Sequence, residues 1–308
     1  MEPDKLKYIC CPKCNGELKQ EKNHLNCIKC IAEFRINSDD IIEIIPNLSK
    51  DLSLSIAKWD ELYRKQYKSK SYFKDYKIYK NKYLDDVLKQ INKQDKINQE
   101  SVYLEIGCGP FYLGSAIAKR CKLIIGIDMC PHALKIAKDI LGANKVKNYI
   151  LIQGDILQLP IKNDYIDIIY GGGVIEHFNN TVQCLHELHR VLKKSGISVN
   201  SVPHLNIGSL TYRQIWGNIP NLPLLRPLGE YVHIKLLKGK HMIFGYELSF
   251  TSKTLINLHQ KAGFKKIETS KFDVQTTFEF IPTKIRFIFN WLTKSSLFWP
   301  MIKVIAIK

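Results

Sequence analysis

The chain has 308 residues, 45% apolar and 24% charged, with 46 basic against 29 acidic groups. This composition excludes whole-chain disorder, and the length predicts about two units. The net charge of +17 is diffuse: zero over residues 1–50, +4 over 51–100, +5 over 101–237 and +8 over 238–308. Such an excess fits a Lys-, Asn- and Ile-rich chain as well as a surface for nucleic acid or anionic lipid. No transmembrane helix is expected. The nearest candidate, Ser195 to Tyr212, is charge-free but interrupted by Asn200, Pro203, His204 and Asn206. No apolar segment follows the start, so no signal peptide is expected and the predicted location is cytoplasmic.

Three segments are predicted. Residues 1–48 hold five of the nine cysteines and end in the strand-like run Ile41–Ile45 before Pro46. Residues 49–100 are Lys- and Tyr-rich and read as helices. Residues 101–308 alternate strands and helices, as α/β sheets do. Strands are expected at Val102–Ile106, Leu123–Asp128, Tyr149–Gln153, Tyr165–Tyr170, Ile197–Val202, Phe264–Phe272 and Met301–Ile307. Residues 204–250 break the rhythm, with Pro220, Pro223 and Pro227 among Gly and Leu, and are expected to form an insertion above the sheet.

Cys11-Pro-Lys-Cys14 and Cys27-Ile-Lys-Cys30 are two C-x2-C knuckles with twelve residues between them. Each knuckle turns two thiolates toward one ion, and two complete a closed tetrahedral site suited to structural Zn2+. A segment this short has no adequate apolar core, so the metal would hold it together. Cys10 reads as a bystander. From Cys11 to about Pro46 the segment, including its EFRINSDDIIEIIP tail, resembles the short zinc-ribbon family related to the activator subunit of tRNA and protein methyltransferases. The resemblance implies a ribbon that docks a protein partner, grips substrate or caps the fold. Its zero net charge argues against a nucleic-acid clamp.

Val102 to Pro110, VYLEIGCGP, is an apolar strand running into a glycine turn. Gly107 and Gly109 let the backbone approach a ligand closely. Asp128 ends the next strand, placed to accept from ribose hydroxyls, and Gly154-Asp155 follows the third. The series VYLEIGCGP, IIGIDMCPHAL, LIQGDILQLPI, YIDIIYGGGVIEHF and LHRVLKKSGISVNSVP resembles, in order, the motifs of class I S-adenosylmethionine-dependent methyltransferases of the type 11 kind, over about residues 101–308. That likeness implies a Rossmann-like seven-stranded sheet, here with an N-terminal zinc ribbon and a helical lid. It implies S-adenosyl-L-methionine as cofactor. Glu105 would support the glycine turn and the methionine amino end, Asp128 would hold the ribose, and Asp155 with Ile156 would frame the adenine. Phe111 stands at the family's third glycine, so cofactor binding requires its ring to turn away.

After the fourth strand comes Gly171-Gly-Gly-Val-Ile-Glu176-His177. It lacks the Asn/Asp-Pro-Pro-aromatic segment of amino-methylating DNA enzymes and the Pro-Cys pair of cysteine-nucleophile base methylation. Gly173 replaces the first carboxylate of the Glu-x-x-Glu-His metal set in ubiquinone-type O-methyltransferases. Glu176 with His177, and His204 after strand five, are the candidate proton acceptors for an attacking hydroxyl. Each also has a packing role available, and in-line transfer draws much of its rate from positioning.

Trp59, Tyr63 and Tyr67 are spaced by four, and Tyr72, Tyr76, Tyr79 and Tyr83 follow helical spacing. They are expected to form lid helices. In the run from Phe278 to Pro300, Ile285, Ile288, Phe289 and Leu292 share a helical face near Lys284, Arg286 and Lys294. Such a helix packs on the core or lies on a membrane surface. The expected reaction is methyl transfer to a small-molecule or lipid-like acceptor, oxygen favoured. RNA or protein methylation with the ribbon as grip, and a non-catalytic scaffold, are the alternatives. Open partners are a membrane periphery, nucleic acid and a protein bound through the ribbon.

Overall fold

A computed structural model describes residues 3–45, 50–92, 95–211, 217–272, 278 and 281–308. After the short helix α1 (Pro3–Leu6) come four small strands: β1 (Leu18–Glu21), β2 (His24–Cys27), β3 (Glu33–Ile36) and β4 (Ile42–Glu43). Three helices follow, α2 (Lys50–Ser69), α3 (Tyr72–Lys82) and α4 (Leu84–Ile91). Next come β5 (Val102–Ile106), α5 (Tyr112–Ile117), β6 (Leu123–Asp128), α6 (Pro131–Ala143), β7 (Tyr149–Gln153), β8 (Ile166–Gly172), α7 (Thr181–Val191) and β9 (Leu192–Pro203). The 204–250 stretch contributes α8 (Ile207–Leu210), β10 (Ile219–Pro220), α9 (Leu225–Glu230) and β11 (Leu248–Ser249). The chain closes with α10 (Ser252–Lys261), β12 (Lys265–Lys271), α11 (Thr283–Asn290) and β13 (Met301–Ile307).

Central strands β5 and β6 are buried at every position. Parallel strands covered by helices on both faces need such unbroken apolar runs. Helix starts are set locally. Pro131 takes the first turn of α6. Asn180 accepts from the Gln183 N–H at 3.2 Å, and Thr251 from the Thr254 N–H at 3.1 Å, capping α7 and α10.

The main sheet runs β1-β2-β3-β4-β7-β6-β5-β8-β9-β13-β12. Its seven-stranded part has β13 inserted antiparallel between β9 and β12. The strand order reverses between β5 and β8, which makes their carboxyl ends the topological switch point. The cysteine-bearing strands are continuous with this sheet. Ile42 and Glu43 pair in parallel with Ile152 and Gln153, and the Ile44 N–H donates to the Gln153 carbonyl at 2.8 Å. A second seam joins Ile9 to Ile161, with the Cys10 N–H donating to the Pro160 carbonyl at 3.0 Å. The small ribbon core of Leu18, Leu25, Phe34 and Ile36 thereby merges with the main core.

Phe111 has a left-handed backbone, φ +57°, and its side chain is 0% exposed. A Cβ built on Gly114 would lie 2.1 Å from its ring, and one on Gly126 would lie 3.2 Å away. Two glycines therefore open the slot that takes the ring away from the glycine turn. Phe111→Gly should relieve about 1–2 kcal/mol of backbone strain but lose about 3–5 kcal/mol of packing. Chemical denaturation should show net destabilisation; a stabilised variant would place the ring outside the core.

Candidate functional site

At the switch point the carboxyl ends of β5, β6, β7 and β8 border an open cleft. Gly107 forms one wall, Asp128, Met129 and Cys130 a second, and Ile156 a third. Gly172, Gly173, Val174, His177 and Phe178 follow β8, and Ser55, Ile56, Trp59 and Tyr63 of α2 form the roof.

Gly107 and Gly109 have φ of +52° and +51°. A Cβ on Gly107 would fall 2.6 Å from Val174 Cγ2, and one on Gly109 would fall 2.8 Å from the Tyr63 hydroxyl. Backbone conformation and space both require glycine here. The Asp128 carboxylate sits between two turns: Oδ2 accepts from the Gly109 N–H at 2.7 Å and Oδ1 from the Cys130 N–H at 2.8 Å. Burial raises its pKa against the pull of those backbone donors. Each oxygen keeps a further lone pair for a hydroxyl in the cleft.

Glu105 lies under the glycine turn. Its Oε2 accepts from the Gly114 N–H at 3.0 Å and the Tyr103 hydroxyl at 2.8 Å. Burial pushes its pKa up to about 8, opposed by those two donors. Glu105 does not line the cleft. Asp155 also lies outside the lining, accepting from the Leu157 N–H at 2.9 Å, while Ile156 contributes to the wall.

The structure separates the three candidate bases. His177 lines the cleft, and its Nδ1 is 2.6 Å from the Tyr246 carbonyl oxygen. A carbonyl only accepts, so Nδ1 carries a proton, and in the neutral imidazole that leaves the lone pair on Nε2. Glu176 is buried and outside the lining. His204 is buried, its Nδ1 3.1 Å from Asn206 Nδ2 and its ring 5.8 Å from that of Trp299. Burial lowers its pKa and keeps it neutral.

Helix α2 supplies groups that spacing alone marked only as lid aromatics. Trp59 stacks between Tyr63 and Phe244, at 5.9 Å and 5.4 Å between ring centroids. Lys58 Nζ donates to the Met242 carbonyl at 2.5 Å, and the Tyr246 N–H donates to Ser55 Oγ at 3.2 Å. At the other side Asp60 Oδ2 meets His132 Nδ1 at 2.8 Å. Burial and the charge of Asp128 raise the Tyr63 pKa well above its usual value, so the hydroxyl stays a donor. The Tyr246 carbonyl had no sequence signal, because a backbone group 69 residues from His177 leaves no pattern.

At the far edge of the sheet, the sulfurs of Cys11, Cys14, Cys27 and Cys30 all lie within 4.8 Å of one another. Sulfurs at about 2.3 Å from one tetrahedral ion would stand about 3.8 Å apart. The Lys29 and Cys30 N–H groups face Cys27 Sγ at 3.4 Å and 3.5 Å, and a Cβ on Gly16 would crowd that sulfur at 2.9 Å. The donor set and its spacing fit zinc.

The family described as "Methyltransferase domain" matches residues 104–199. The demethylmenaquinone methyltransferase of Lactococcus lactis is 30% identical over 176 residues, covering 54% of this chain and 67% of that protein. The malonyl-[acyl-carrier protein] O-methyltransferase of Priestia megaterium is 33% identical over 101 residues, 32% of this chain and 35% of that one. Among solved structures, a phosphoethanolamine N-methyltransferase of Haemonchus contortus, bound to phosphomonomethylethanolamine and S-adenosylhomocysteine, superposes with a TM-score of 0.50 at 16% identity. The match covers 73% of this chain and 52% of that one.

Proposed function

Because the chain belongs to the class I S-adenosylmethionine-dependent methyltransferases, we propose that it methylates a small, lipid-like acceptor at oxygen, with His177 as the base. The observation that carries this reading is the His177–Tyr246 hydrogen bond in the cleft wall. It sets the tautomer that leaves Nε2 unprotonated beside the open space.

Bound S-adenosylmethionine supplies an electrophilic methyl group on a sulfonium sulfur. Asp128 would accept from the ribose hydroxyls with the lone pairs its backbone donors leave. Ile156 would pack against the adenine, with Asp155 shaping the turn that carries it. Gly107 and Gly109 would admit the amino-acid end, with Glu105 holding their turn through Gly114. Trp59 and Tyr63 exclude water from above. His177 Nε2 takes the proton of the attacking hydroxyl, and the Tyr246 carbonyl stabilises the imidazolium that results. Glu176 and His204, outside the lining, serve as packing. Relatives named for demethylmenaquinone and for malonyl-[acyl-carrier protein] support an acceptor that is not a polymer base.

In the same reading residues 1–48 form a zinc ribbon, 49–100 the lid and 101–308 the catalytic domain with its 204–250 insertion. Cys11, Cys14, Cys27 and Cys30 hold one structural zinc with no open position.

Three measurements test this. Asp128→Ala should weaken S-adenosylhomocysteine binding roughly tenfold or more, since each charge-assisted hydrogen bond is worth about 1.5–3 kcal/mol. Unchanged affinity by calorimetry would remove Asp128 from the site. His177→Ala should lower turnover roughly 10²-fold with cofactor affinity nearly constant; a drop in stability alone, with turnover per folded molecule intact, rejects the base. Elemental analysis should find about one zinc per chain, lost in Cys27→Ser, and metal-free protein from reducing buffer would reject the ribbon reading.

A further inference from the structure

The carboxyl end of the sheet carries an apolar surface that the cleft chemistry does not use. Beyond β9, Asn206 Nδ2 donates to the Ser296 and Trp299 carbonyls at 3.0 Å and 2.8 Å. This stitches α8 to the segment that precedes β13. Ile207 and Leu210 of α8, and Phe287, Ile288, Trp291 and Leu297 of that segment, are all solvent-exposed, Phe287 at 70% and Trp291 at 64%. The opposite face of α11 packs inward through Phe289, whose ring lies 5.7 Å from that of Phe278. The sequence pattern had Ile285 and Ile288 facing the same way as Phe289 and Leu292; the structure instead exposes both isoleucines. Burying one face leaves a second apolar stripe outside.

Exposed Lys284 and Lys294 bracket the stripe, and residues 281–300 contain three cations and no carboxylate. Apolar side chains flanked by lysines match a bilayer interface: the rings and branched chains enter the acyl boundary, and the ammonium groups reach anionic headgroups. A second copy of the chain would bring the same positive charge against it, at +17 per molecule. The stripe also rises from the sheet end where the cleft opens, since β9 ends at Pro203 and β13 begins at Met301, paired with it.

We propose that α8 and the α11 segment form a docking face for an anionic lipid bilayer, so that the acceptor enters the cleft from the membrane. The delivery part rests on the methyltransferase reading; the docking part does not.

The test is co-sedimentation of the full chain with phosphatidylcholine vesicles and with phosphatidylcholine–phosphatidylglycerol vesicles. Binding should favour the mixed vesicles and fade with salt, as the Debye length falls from about 10 Å at 0.1 M to about 3 Å at 1 M. Phe287→Asp with Ile288→Asp should lower binding roughly tenfold or more. Lys284→Glu with Lys294→Glu, confined to exposed positions, should abolish the preference for mixed vesicles and guards against a folding defect in the first variant. No binding at low salt overturns the proposal. So does salt-sensitive RNA binding without vesicle binding, or a dimer in sedimentation velocity that the Asp variant dissociates while vesicles stay unbound. S-adenosylhomocysteine calorimetry on the same samples separates the readings. Lost cofactor binding with vesicle binding intact overturns the methyltransferase reading and leaves the docking face standing.

Discussion

The buried carboxylate of Asp128 is the point on which the cleft depends. It ends β6 and takes one N–H from the turn after β5 and another from the start of α6. Two neighbouring βα turns are thereby locked to each other at the strand reversal. A carboxylate held this way is expensive to bury, which is why both oxygens have backbone donors. The Gly109 N–H that Oδ2 takes belongs to a residue in the left-handed region, so the glycine turn and the aspartate are joined.

Over that floor α2 acts as a strap attached on two sides. One attachment runs through Lys58, Trp59 and Ser55 to residues 242–246, the other through Asp60 to His132. The first attachment shares Tyr246 with the part of the cleft that follows β8, because its carbonyl orients His177 while its N–H binds Ser55. The Tyr246 hydroxyl then donates to Glu230 at 2.7 Å and accepts from Arg226 at 2.8 Å. Burial favours a neutral Glu230, but the donors Tyr246 and Arg226 prevail and hold its pKa below the ordinary value. Tyr246 thereby joins α2, His177 and the Arg226–Glu230 pair through its N–H, carbonyl and hydroxyl.

Much of the sheet was legible because its strands are uniform. The bounds expected for β5, β6, β7 and β13 are those observed, since each is a short apolar run with polar or glycine ends. β9 was expected at Ile197–Val202 but begins at Leu192. Its first residues are Leu-Lys-Lys-Ser-Gly, paired to β8 through a register shift and with Ser195 at φ +65°; nothing in that composition resembles a strand. Gly107, Asp128, Ile156 and His177 could be nominated from motif order, and the structure brings them around one cleft, with Gly109 behind Asp128 as the donor to its carboxylate. Glu176 and His204 were nominated beside them, but neither lines that cleft. Side-chain type cannot tell a wall residue from a core residue one position away. The roof contacts were invisible for another reason: they join α2 to residues nearly two hundred positions later through backbone groups.

The parallel pairing of β4 with β7 also has a consequence for how the molecule comes into being. The ribbon is synthesised before any strand of the catalytic sheet. Its knuckles are local and close over short loops, whereas Ile42 must wait for Ile152 to leave the ribosome. The outer edge of the completed sheet is left to β1, whose Lys19 and Glu21 form an ion pair at 3.5 Å. Charges on a four-residue edge are poor partners for another chain. The cysteine-bearing strands thus cover the apolar margin that β7 would otherwise present and leave a charged one in its place.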